Sequence, residues 1–455
     1  MKHKTRQKSG SGAGNMLSTD HAGLQEKLDF ALQQHRAGKL QKARKAYKKI
    51  LKASPQHTDA LHMLGLLEHQ SGAIETAIRL LTRAVEQGPA SAELFTNLGS
   101  ALQAKGNYNE AINAFQSAIE INPGFALAHN NLGNALRAAG DQDAAGSAFR
   151  RAIESAPHFA LAHYNLGDLL HAQGRQDEAI ASVRRALALE PDFADACNSL
   201  ATMLMEQGAT GEARTLFGRV LQLDNKNTSA RHMLAALEGQ TTETAPQDYV
   251  VGLFDGCAAY FDQHLVDDLG YNAPQSLHRA VSRLIDSSRQ GLDVMDLGCG
   301  TGLCGPLFRD MARTMVGVDL SPGMLAMASQ RKLYDQLVTG DITKELRKYE
   351  DAYDLILAAD VFIYVGGLDQ VFTAISAALK AGGLFAFSVE AEHEDDDFVL
   401  KPTGRYTHSI GYIGRLAEVS GLREVHLEES VLRMDKGQPI GGYIVVLGKP
   451  EEGNP

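Results

Sequence analysis

The spacing of apolar and polar positions changes about halfway along the chain. As far as residue 240, apolar residues recur at helical spacing in segments of about 12 residues, each closed by a short break. From about residue 290, short apolar runs alternate with amphipathic stretches. Helical spacing predicts an all-helical N-terminal region, and the alternation predicts parallel strands joined by helices. We therefore expect two different folds in one chain.

The N-terminal helices repeat every 34 residues. Proline, glycine, alanine and leucine each keep this period independently, at Pro55, Pro89, Pro123, Pro157 and Pro191; at Gly38, Gly72, Gly106, Gly140, Gly174 and Gly208; at Ala43, Ala77, Ala111, Ala145, Ala179 and Ala213; and at Leu64, Leu98, Leu132, Leu166 and Leu200. Each unit contains a first helix, a break at the glycine and a second helix that stops at the next proline. Four coincident series indicate a true repeat array.

In period and in its helix–turn–helix unit, the segment 24–227 resembles six tetratricopeptide repeats, and residues 228–238 resemble a capping helix. The resemblance implies a superhelical α-solenoid. It also implies that the sixth position of each unit, Met63, Asn97, Asn131, Asn165 and Ser199 in this chain, faces the concave surface. In related domains a row of asparagines there holds an extended peptide, which implies a peptide groove at Asn97, Asn131 and Asn165. The alternative, that asparagine merely solvates the groove, stays open.

Two segments lack this periodicity. Residues 1–22 are basic and flexible in composition and lack the apolar stretch of a signal peptide. Residues 240–248 are polar, contain Pro246 and are expected to form a linker. We therefore predict repeats over 23–239 and a second domain over 249–455. So short a linker would keep whatever the array captures close to the second domain.

A glycine-rich turn follows the first predicted strand of the second domain. The strand 292–297 runs into Gly298-Cys299-Gly300-Thr301-Gly302, and further apolar strands are expected at 314–319, 353–360 and 383–389. Alternation of this kind predicts a doubly wound parallel sheet, in which ligands bind at the carboxyl ends of the strands.

Two kinds of nucleotide fit such a turn. Gly300, Gly302 and Gly305 satisfy the dinucleotide pattern GxGxxG, with Asp319 at the right distance for a ribose. However, Asp296 immediately before the turn would repel a pyrophosphate and attract the ammonium of a methionine-like tail, and Asp341 could accept a hydrogen bond from an adenine amino group. These charges favour S-adenosylmethionine, with NAD as the alternative.

The segment 290–390 resembles the class I S-adenosylmethionine-dependent methyltransferases, through Asp296-Leu-Gly298-Cys-Gly300-Thr-Gly302, Asp319-Leu320-Ser321, Gly340-Asp341-Ile342 and Gly382-Gly383. Its flanks resemble predicted methyltransferases that carry tetratricopeptide repeats in the same chain. The resemblance implies a Rossmann-like sheet, S-adenosylmethionine as cofactor, and aromatic residues before the first strand that cover it. The residues expected at the cofactor are Asp296, Gly298, Cys299, Gly300, Gly302, Asp319, Leu320, Ser321, Met324, Asp341, Ile342, Asp360, Tyr260 and Phe261.

The acceptor side is less clearly marked in the sequence. His264, Tyr364, Arg405 and Tyr406 are expected near the strand ends, and Arg405 could pair with an acceptor carboxylate. His408 is the candidate general base, with a hydrogen-bonded structural histidine as the open alternative. The residues after Asp360, Val-Phe-Ile, lack the Pro-Pro-aromatic arrangement of adenine and glutamine N-methyltransferases, which counts against those substrates.

Composition narrows the classes of function. The formal net charge is −11, and residues 251–455 carry 18 basic and 30 acidic residues, which disfavours binding of nucleic acid. Four irregularly spaced cysteines predict neither a disulfide framework nor a metal site. The sequence contains no run of 18 apolar residues and therefore predicts no membrane span, so we expect a cytoplasmic protein.

Together these patterns predict an α/β fold with an α-solenoid: a superhelical repeat array followed by a Rossmann-like methyltransferase domain. The expected function is methyl transfer from S-adenosylmethionine to an oxygen or nitrogen of a protein or peptide that the array recruits. Two alternatives remain: a small-metabolite acceptor, with the array assembling a complex, or a non-enzymatic adaptor with a vestigial cofactor fold.

Overall fold

The chain divides into two compact units, Met1–Met203 and Leu204–Pro455. A computed structural model describes residues 13–89, 91–255, 258, 261–262, 265, 270–285, 291–392, 396–435 and 437–451. Among these residues, no helix combines the length and the apolarity that crossing a bilayer requires.

The N-terminal part of the chain is a series of antiparallel helices in pairs. The helices are α1 (Ala13–Arg36), α2 (Leu40–Ala53), α3 (Thr58–Gln70), α4 (Ile74–Gln87), α5 (Ala92–Ala104), α6 (Tyr108–Ile121), α7 (Ala126–Ala138), α8 (Gln142–Ser155), α9 (Ala160–Ala172), α10 (Gln176–Leu189), α11 (Ala194–Glu206), α12 (Thr210–Leu223) and α13 (Thr228–Leu237). The 34-residue period therefore corresponds to one helix pair, as the sequence predicts.

The periodic glycines and alanines have distinct physical roles. All six glycines of the series lie between the two helices of a unit with positive φ, from 68° at Gly38 to 91° at Gly140, a conformation that other residues adopt only with strain. All six alanines of the series are fully buried near the start of the second helix. The glycine series therefore marks the turn of each pair, and the alanine series marks a buried position near the start of its second helix.

A second set of glycines lets the paired helices approach closely. A Cβ added at Gly133 of α7 would lie 2.5 Å from the ring of Phe149 on α8, and one at Gly99 of α5 would lie 2.6 Å from the ring of Phe115 on α6. Each ring is fully buried against the glycine of its partner helix. Large and small residues thus interlock within these two repeats.

The C-terminal part carries a mixed sheet with helices on both faces. Its helices are α14 (Gln247–Asp255), α15 (Ala273–Leu284), α16 (Gly305–Phe308), α17 (Pro322–Arg331), α18 (Ile342–Leu346), α19 (Asp369–Ala378) and α20 (Ile410–Val419). Its strands are β1 (Leu292–Leu297), β2 (Ala312–Asp319), β3 (Gln336–Thr339), β4 (Tyr353–Ala358), β5 (Leu379–Glu390), β6 (Phe398–Leu400), β7 (Tyr406–His408), β8 (Arg423–Asp435) and β9 (Gln438–Gly448).

The main sheet has seven strands in the order β3-β2-β1-β4-β5-β9-β8. Strands β1 to β5 are parallel, whereas β9 runs antiparallel to both β5 and β8. The order reverses between β1 and β4, which is where a doubly wound sheet opens a crevice at its carboxyl edge. Strands β6 and β7 form a separate antiparallel pair.

Successive residues of the buried strands face opposite layers. Val294 packs with Leu277 of α15 and Phe308 of α16, whereas the next residue, Met295, packs with Phe372 of α19. Both clusters consist of buried side chains, nearly all of them aliphatic or aromatic. This layered architecture, after a helical array, confirms the predicted fold class.

The boundary between the compact units falls earlier than the predicted end of the repeats. Helix α13 belongs to the second unit because its residues Ala235 and Ala236 pack with Tyr406 and Leu400. The expected linker 240–248 also lies along this unit, since Ala245 N donates to the Tyr364 carbonyl at 3.0 Å. The predicted domain bounds stay a prediction. The hydrogen bond of Ala245 shows that part of the segment 240–248 is attached to the second unit.

Candidate functional site

The glycine turn after β1 is held in a conformation that favours glycine. Gly298, Gly300 and Gly302 have φ values of 59°, 54° and 86°. A Cβ at Gly298 would lie 2.6 Å from Val361, and one at Gly302 would lie 2.9 Å from the Tyr334 ring. At Gly300 an added Cβ would meet no atom within 4 Å. Gly298 and Gly302 are therefore required by packing, whereas the space beside Gly300 is open to a ligand.

Asp296 lies directly before this turn and is 1% exposed. Its Oδ2 accepts a hydrogen bond from the Tyr334 hydroxyl at 2.6 Å. Among the residues that the structure describes, its Oδ1 has no hydrogen-bond partner. Burial raises the pKa of Asp296 to about 7, and the nearby Asp319 carboxylate adds to the shift. The site thus contains a buried acid that a cationic ligand would ionise and satisfy.

Asp319 is the last residue of β2, and its carboxylate connects the glycine turn after β1 to the end of β2. Its Oδ2 accepts from Gly300 N at 2.8 Å, and its Oδ1 accepts from Ser321 N at 2.8 Å. Burial raises the pKa of this carboxyl as well. The structure therefore brings Asp296, Gly300 and Asp319 together, as the sequence predicts, and each Asp319 oxygen retains a lone pair for a hydroxyl donor.

Asp341 caps a helix instead of pointing freely into the crevice. Its Oδ1 accepts from Lys344 N at 2.9 Å at the start of α18, and its Oδ2 accepts from the Gln247 amide at 2.9 Å. A ligand amino group at Asp341 would therefore share its carboxylate with, or replace, the Gln247 side chain.

Three side chains in the segment 247–262 each reach a different loop of the site. Gln247 binds Asp341, as described above. Asp255 accepts from the Ser321 hydroxyl and from Gly323 N, the latter at 3.0 Å. Asp262 accepts from the Thr301 hydroxyl and forms an ion pair with Arg331. The sequence analysis did not single out these acids as site residues, because their partners lie 39 to 69 positions further along the chain.

The other predicted cofactor residues divide into buried supports and partly exposed contacts. Ser321 is 1% exposed and its hydroxyl accepts from Met324 N at the start of α17, while Met324 itself is 1% exposed. Cys299 is buried, and Leu320, Ile342 and Phe261 are half-buried. The Phe261 ring packs edge-on against Phe254 at 5.7 Å. Tyr260 and His264 lie outside the described residues.

Asp360 is committed to a buried ion-pair cluster. It has a φ of 59°, which is unusual for a residue other than glycine, and its carboxylate accepts from Arg433 Nη1 at 2.7 and 3.0 Å. Arg433 on β8 is 2% exposed and also pairs with Glu390 at the end of β5. Burial raises the pKa of Glu390. Arg433 thus holds the Asp360 carboxylate in this cluster, and the cofactor contact expected at Asp360 stays a prediction.

His408 and Tyr406 face the interior. His408 is fully buried, and its Nε2 donates to the carbonyls of Val365 and Gly366 at 2.9 and 3.0 Å. Burial lowers its pKa to about 4, so the ring is neutral near pH 7. The fully buried Tyr406 shares a hydrogen bond of 2.6 Å with Thr242. This placement argues against His408 as a base and against Tyr406 as an acceptor contact, because neither side chain is accessible.

Tyr364 and Arg405 remain together at the edge of the site. Burial raises the pKa of Tyr364, and the nearby Arg405 guanidinium opposes that shift. Arg405 Nη1 also lies 4.0 Å from the Asp435 carboxylate. Tyr364 packs edge-on against Phe254 at 5.5 Å and belongs to the same apolar cluster as Leu320. Since Leu320 follows Asp319, the pair lies beside the predicted cofactor region.

Contacts from α13 reach the residue before Arg405. His232 is 3% exposed, and its Nε2 donates to the Gly404 carbonyl at 3.0 Å. The His232 ring packs against Tyr249 and Tyr406, at 4.9 and 6.0 Å between ring centroids. Burial lowers the pKa of His232, which is consistent with a neutral ring. The final repeat helix thus supports the backbone that carries Arg405.

The asparagine row is bonded from repeat to repeat. Asn165 is 6% exposed and donates to Asn130 at 2.8 Å, while the half-buried Asn97 amide is bonded to His62 at 2.8 Å. Asn131 donates to Ser100 at 3.3 Å. These bonds give the row a structural role that the sequence analysis did not anticipate.

Comparison with known proteins identifies both parts of the chain. The family described as a methyltransferase domain matches residues 295–387. Two tetratricopeptide-repeat families match residues 34–101 and, in overlapping segments, 96–158, 143–192 and 164–230.

Individual relatives cover only part of the chain. A malonyl-[acyl-carrier protein] O-methyltransferase of Serratia marcescens is 31% identical over 124 residues, which are 27% of this chain and 48% of the relative. A "probable S-adenosylmethionine-dependent methyltransferase" of Saccharomyces cerevisiae is 26% identical over 31% of this chain and 50% of the relative. The chain thus spans about half the length of these curated relatives.

Among solved structures, MamA is 32% identical to this chain in the matched region. The match covers 35% of this chain and 94% of MamA, with a TM-score of 0.33. The family matches agree with the repeat and sheet architecture described above. The chain therefore carries an array of tetratricopeptide repeats followed by a methyltransferase domain.

Proposed function

We propose that this protein transfers the methyl group of S-adenosylmethionine to an oxygen or nitrogen of an acceptor recruited by the repeat array. The observation that carries the proposal is the unpartnered Oδ1 of Asp296, buried beside a glycine turn that is open at Gly300. A buried carboxylate needs a cationic or hydrogen-bonding partner.

The residues of the site fit this cofactor. Asp296 would hold its cationic amino-acid end, Asp319 would accept from the two ribose hydroxyls, and Asp341 would accept from the adenine amino group. Asp296 disfavours NAD, because the pyrophosphate of a dinucleotide in the glycine turn would lie against this buried carboxyl group. The name of the yeast relative also supports S-adenosylmethionine.

When bound, S-adenosylmethionine supplies an electrophilic methyl group on a sulfonium. The residues of this chain would orient the acceptor atom in line with the bond between the methyl carbon and the sulfur, and would exclude water. Gln247, Asp255 and Asp262 are suited to support exclusion of water because they are bonded to three loops of the site. Tyr364 and Arg405 are the polar pair at the acceptor side, and Arg405 would bind an acceptor carboxylate. An acceptor that is already ionised would need no base, which agrees with the interior position of His408.

The array supports a protein-borne acceptor. Tetratricopeptide repeats generally bind peptides or proteins, and the Serratia relative is named for an acceptor attached to a carrier protein. The half-buried Asn97 and Asn131 retain acceptor or donor capacity for a peptide backbone, whereas Asn165 is engaged within the array. A free metabolite as acceptor, with the array used for assembly, is the second candidate.

The cofactor assignment is tested with Asp319→Ala and calorimetric titration of S-adenosylmethionine. Loss of both ribose contacts should weaken binding by about 100-fold or more, since each hydrogen bond to a charged group contributes about 1.5–3 kcal/mol. The matched control is Asp397→Ala, which removes an exposed carboxylate paired with Arg415 and should bind normally. Undiminished binding in Asp319→Ala would contradict the assignment. Absence of binding in the unaltered protein would favour the adaptor function.

The acceptor is tested with radiolabelled S-adenosylmethionine in a fractionated extract. We expect label in the protein fraction, and less of it with Asn97→Ala/Asn131→Ala at unchanged cofactor affinity. Label confined to small molecules would favour the metabolite alternative.

A further inference from the structure

Helix α2 carries a dense row of lysines on its exposed side. Its 14 residues include six basic side chains and no acidic one. Lys42, Lys45, Lys48, Lys49 and Lys52, which we call the lysine face, are all exposed. At 100° per residue they fall within an arc of about 120°, and they extend over about 15 Å of helix. The opposite side of α2 is buried through Ala43, Tyr47 and Ile50.

The charge of the lysine face is not neutralised locally. The sixth cation of α2, Arg44, pairs with Glu68 at 2.8 Å. Within the described part of the chain, none of the five lysines makes an ion pair, and the array's other pairs, such as Arg137 with Asp168, lie in later repeats. Five cations held this close on one helix repel one another. A partner that brings carboxylates would relieve that repulsion.

The repeats that follow α2 as far as residue 203 have the opposite net charge. Residues 54–203 carry 9 basic and 16 acidic residues, a net charge of −7. Outside the basic residues 1–22, the densest positive charge therefore lies on α2, directly before repeats that are net acidic. A long polyanion such as duplex DNA would extend past 15 Å onto acidic repeats, whereas a short acidic segment would not. The apolar side of α2 is buried within its repeat, which leaves no apolar surface for insertion into a membrane.

From this we propose that the lysine face docks an acidic helical segment of a partner protein. Carboxylates spaced three and four residues apart on such a helix would match the lysines along one face. The site is independent of the cofactor crevice. It adds a positively charged recognition element to an array in which residues 54–203 carry a net negative charge.

The test uses the full-length protein and a synthetic helical peptide of about 18 residues, with glutamates at i, i+3, i+7 and i+10. The charge-reversed variant is Lys45→Glu/Lys48→Glu/Lys49→Glu. The chain offers a matched control, Arg79→Glu/Arg150→Glu/Arg185→Glu. These arginines are exposed and occupy the same repeat positions as the three lysines, displaced by whole repeats, so the charge change is equal but dispersed over α4, α8 and α10.

We expect the peptide to bind the unaltered protein, to bind about tenfold or more weakly after lysine reversal, and to bind the control within about twofold of the unaltered protein. Circular dichroism and S-adenosylmethionine titration check folding of each variant. A scrambled peptide of the same composition should bind more weakly, because its carboxylates no longer share a face.

Several results would overturn the proposal. Equal loss in both triple variants would mean that the peptide senses only overall charge. Failure to bind the unaltered protein at low salt, or tighter binding of a DNA duplex or of anionic phosphatidylserine vesicles, would remove the acidic protein as the occupant. A change from dimer to monomer on lysine reversal, measured by sedimentation, would assign the surface to a second copy of the chain.

Discussion

In the described part of the repeat array, the buried acid Glu68 is paired with Arg44, and most other buried polar side chains are neutral, some of them bonded from one repeat to the next. At the strand ends several acids are buried, and one oxygen of Asp296 lacks a partner. Asn165 and Asn130 form a bond between repeats in the array. Among the described residues, the array also contains unpartnered amide oxygens, at Asn134 and Asn198. A neutral amide is much cheaper to leave unbonded than a carboxylate. This difference shows where ligand binding has most to gain, which is at Asp296.

The largest expected effect concerns the charged side of this comparison. Arg433→Ala would leave the buried Glu390 and the half-buried Asp360 without their cation. We expect the free energy of unfolding to fall by about 3–5 kcal/mol. The exposed pair of Arg415 and Asp397 provides the control, and Arg415→Ala should cost no more than about 1 kcal/mol. Urea unfolding followed by circular dichroism measures both, since the chain has no tryptophan.

If Arg433→Ala and Arg415→Ala lost stability equally, the buried cluster would have no special energetic role. The strand ends would then resemble the surface in their electrostatics, and the contrast with the array would be lost.

Glycine-to-alanine substitutions in the array should change the free energy of unfolding by less, and in opposite directions at two positions. Gly133→Ala would place a methyl group against the Phe149 ring and should lower the free energy of unfolding by about 1–3 kcal/mol. Gly218 lies inside α12, where an added Cβ meets no atom within 4 Å, so Gly218→Ala should raise stability by about 0.5–1 kcal/mol. Thermal unfolding measures both variants. A loss at both positions would mean that helical glycines of the array share a role other than close packing.

The array could be predicted almost completely from the sequence because its information is local. Each glycine, alanine and proline of the 34-residue series acts on the helix pair that contains it. The pairing of Asn165 with Asn130 was not predicted, because it depends on how one repeat is rotated against the next.

The strand-end site could be predicted only in part. Asp296, Gly300 and Asp319 adjoin strand ends, and the parallel sheet brings those ends together. Tyr334 and Arg433 were missed because they lie 38 and 73 residues from the acids they bind, with no motif to mark them. His408 was expected at the crevice, but its pairing across β6 and β7 turns the ring towards the carbonyls of Val365 and Gly366.

The central claim is that the unpartnered carboxylate of Asp296 binds the cationic end of S-adenosylmethionine. Because the pKa of Asp296 is about 7 in the free protein, a cationic ligand must displace a proton from it below that pH. Affinity should therefore rise as the pH increases, by about tenfold between pH 5.5 and pH 7, and then level off.

The measurement is calorimetric titration of S-adenosylmethionine across that pH range, with NAD as the control ligand and Asp296→Asn as the control variant. We predict a tenfold gain in affinity with proton release in the unaltered protein, no pH dependence and weak binding in Asp296→Asn, and no binding of NAD. Affinity that is independent of pH in the unaltered protein, or equal in the two proteins, would contradict the claim.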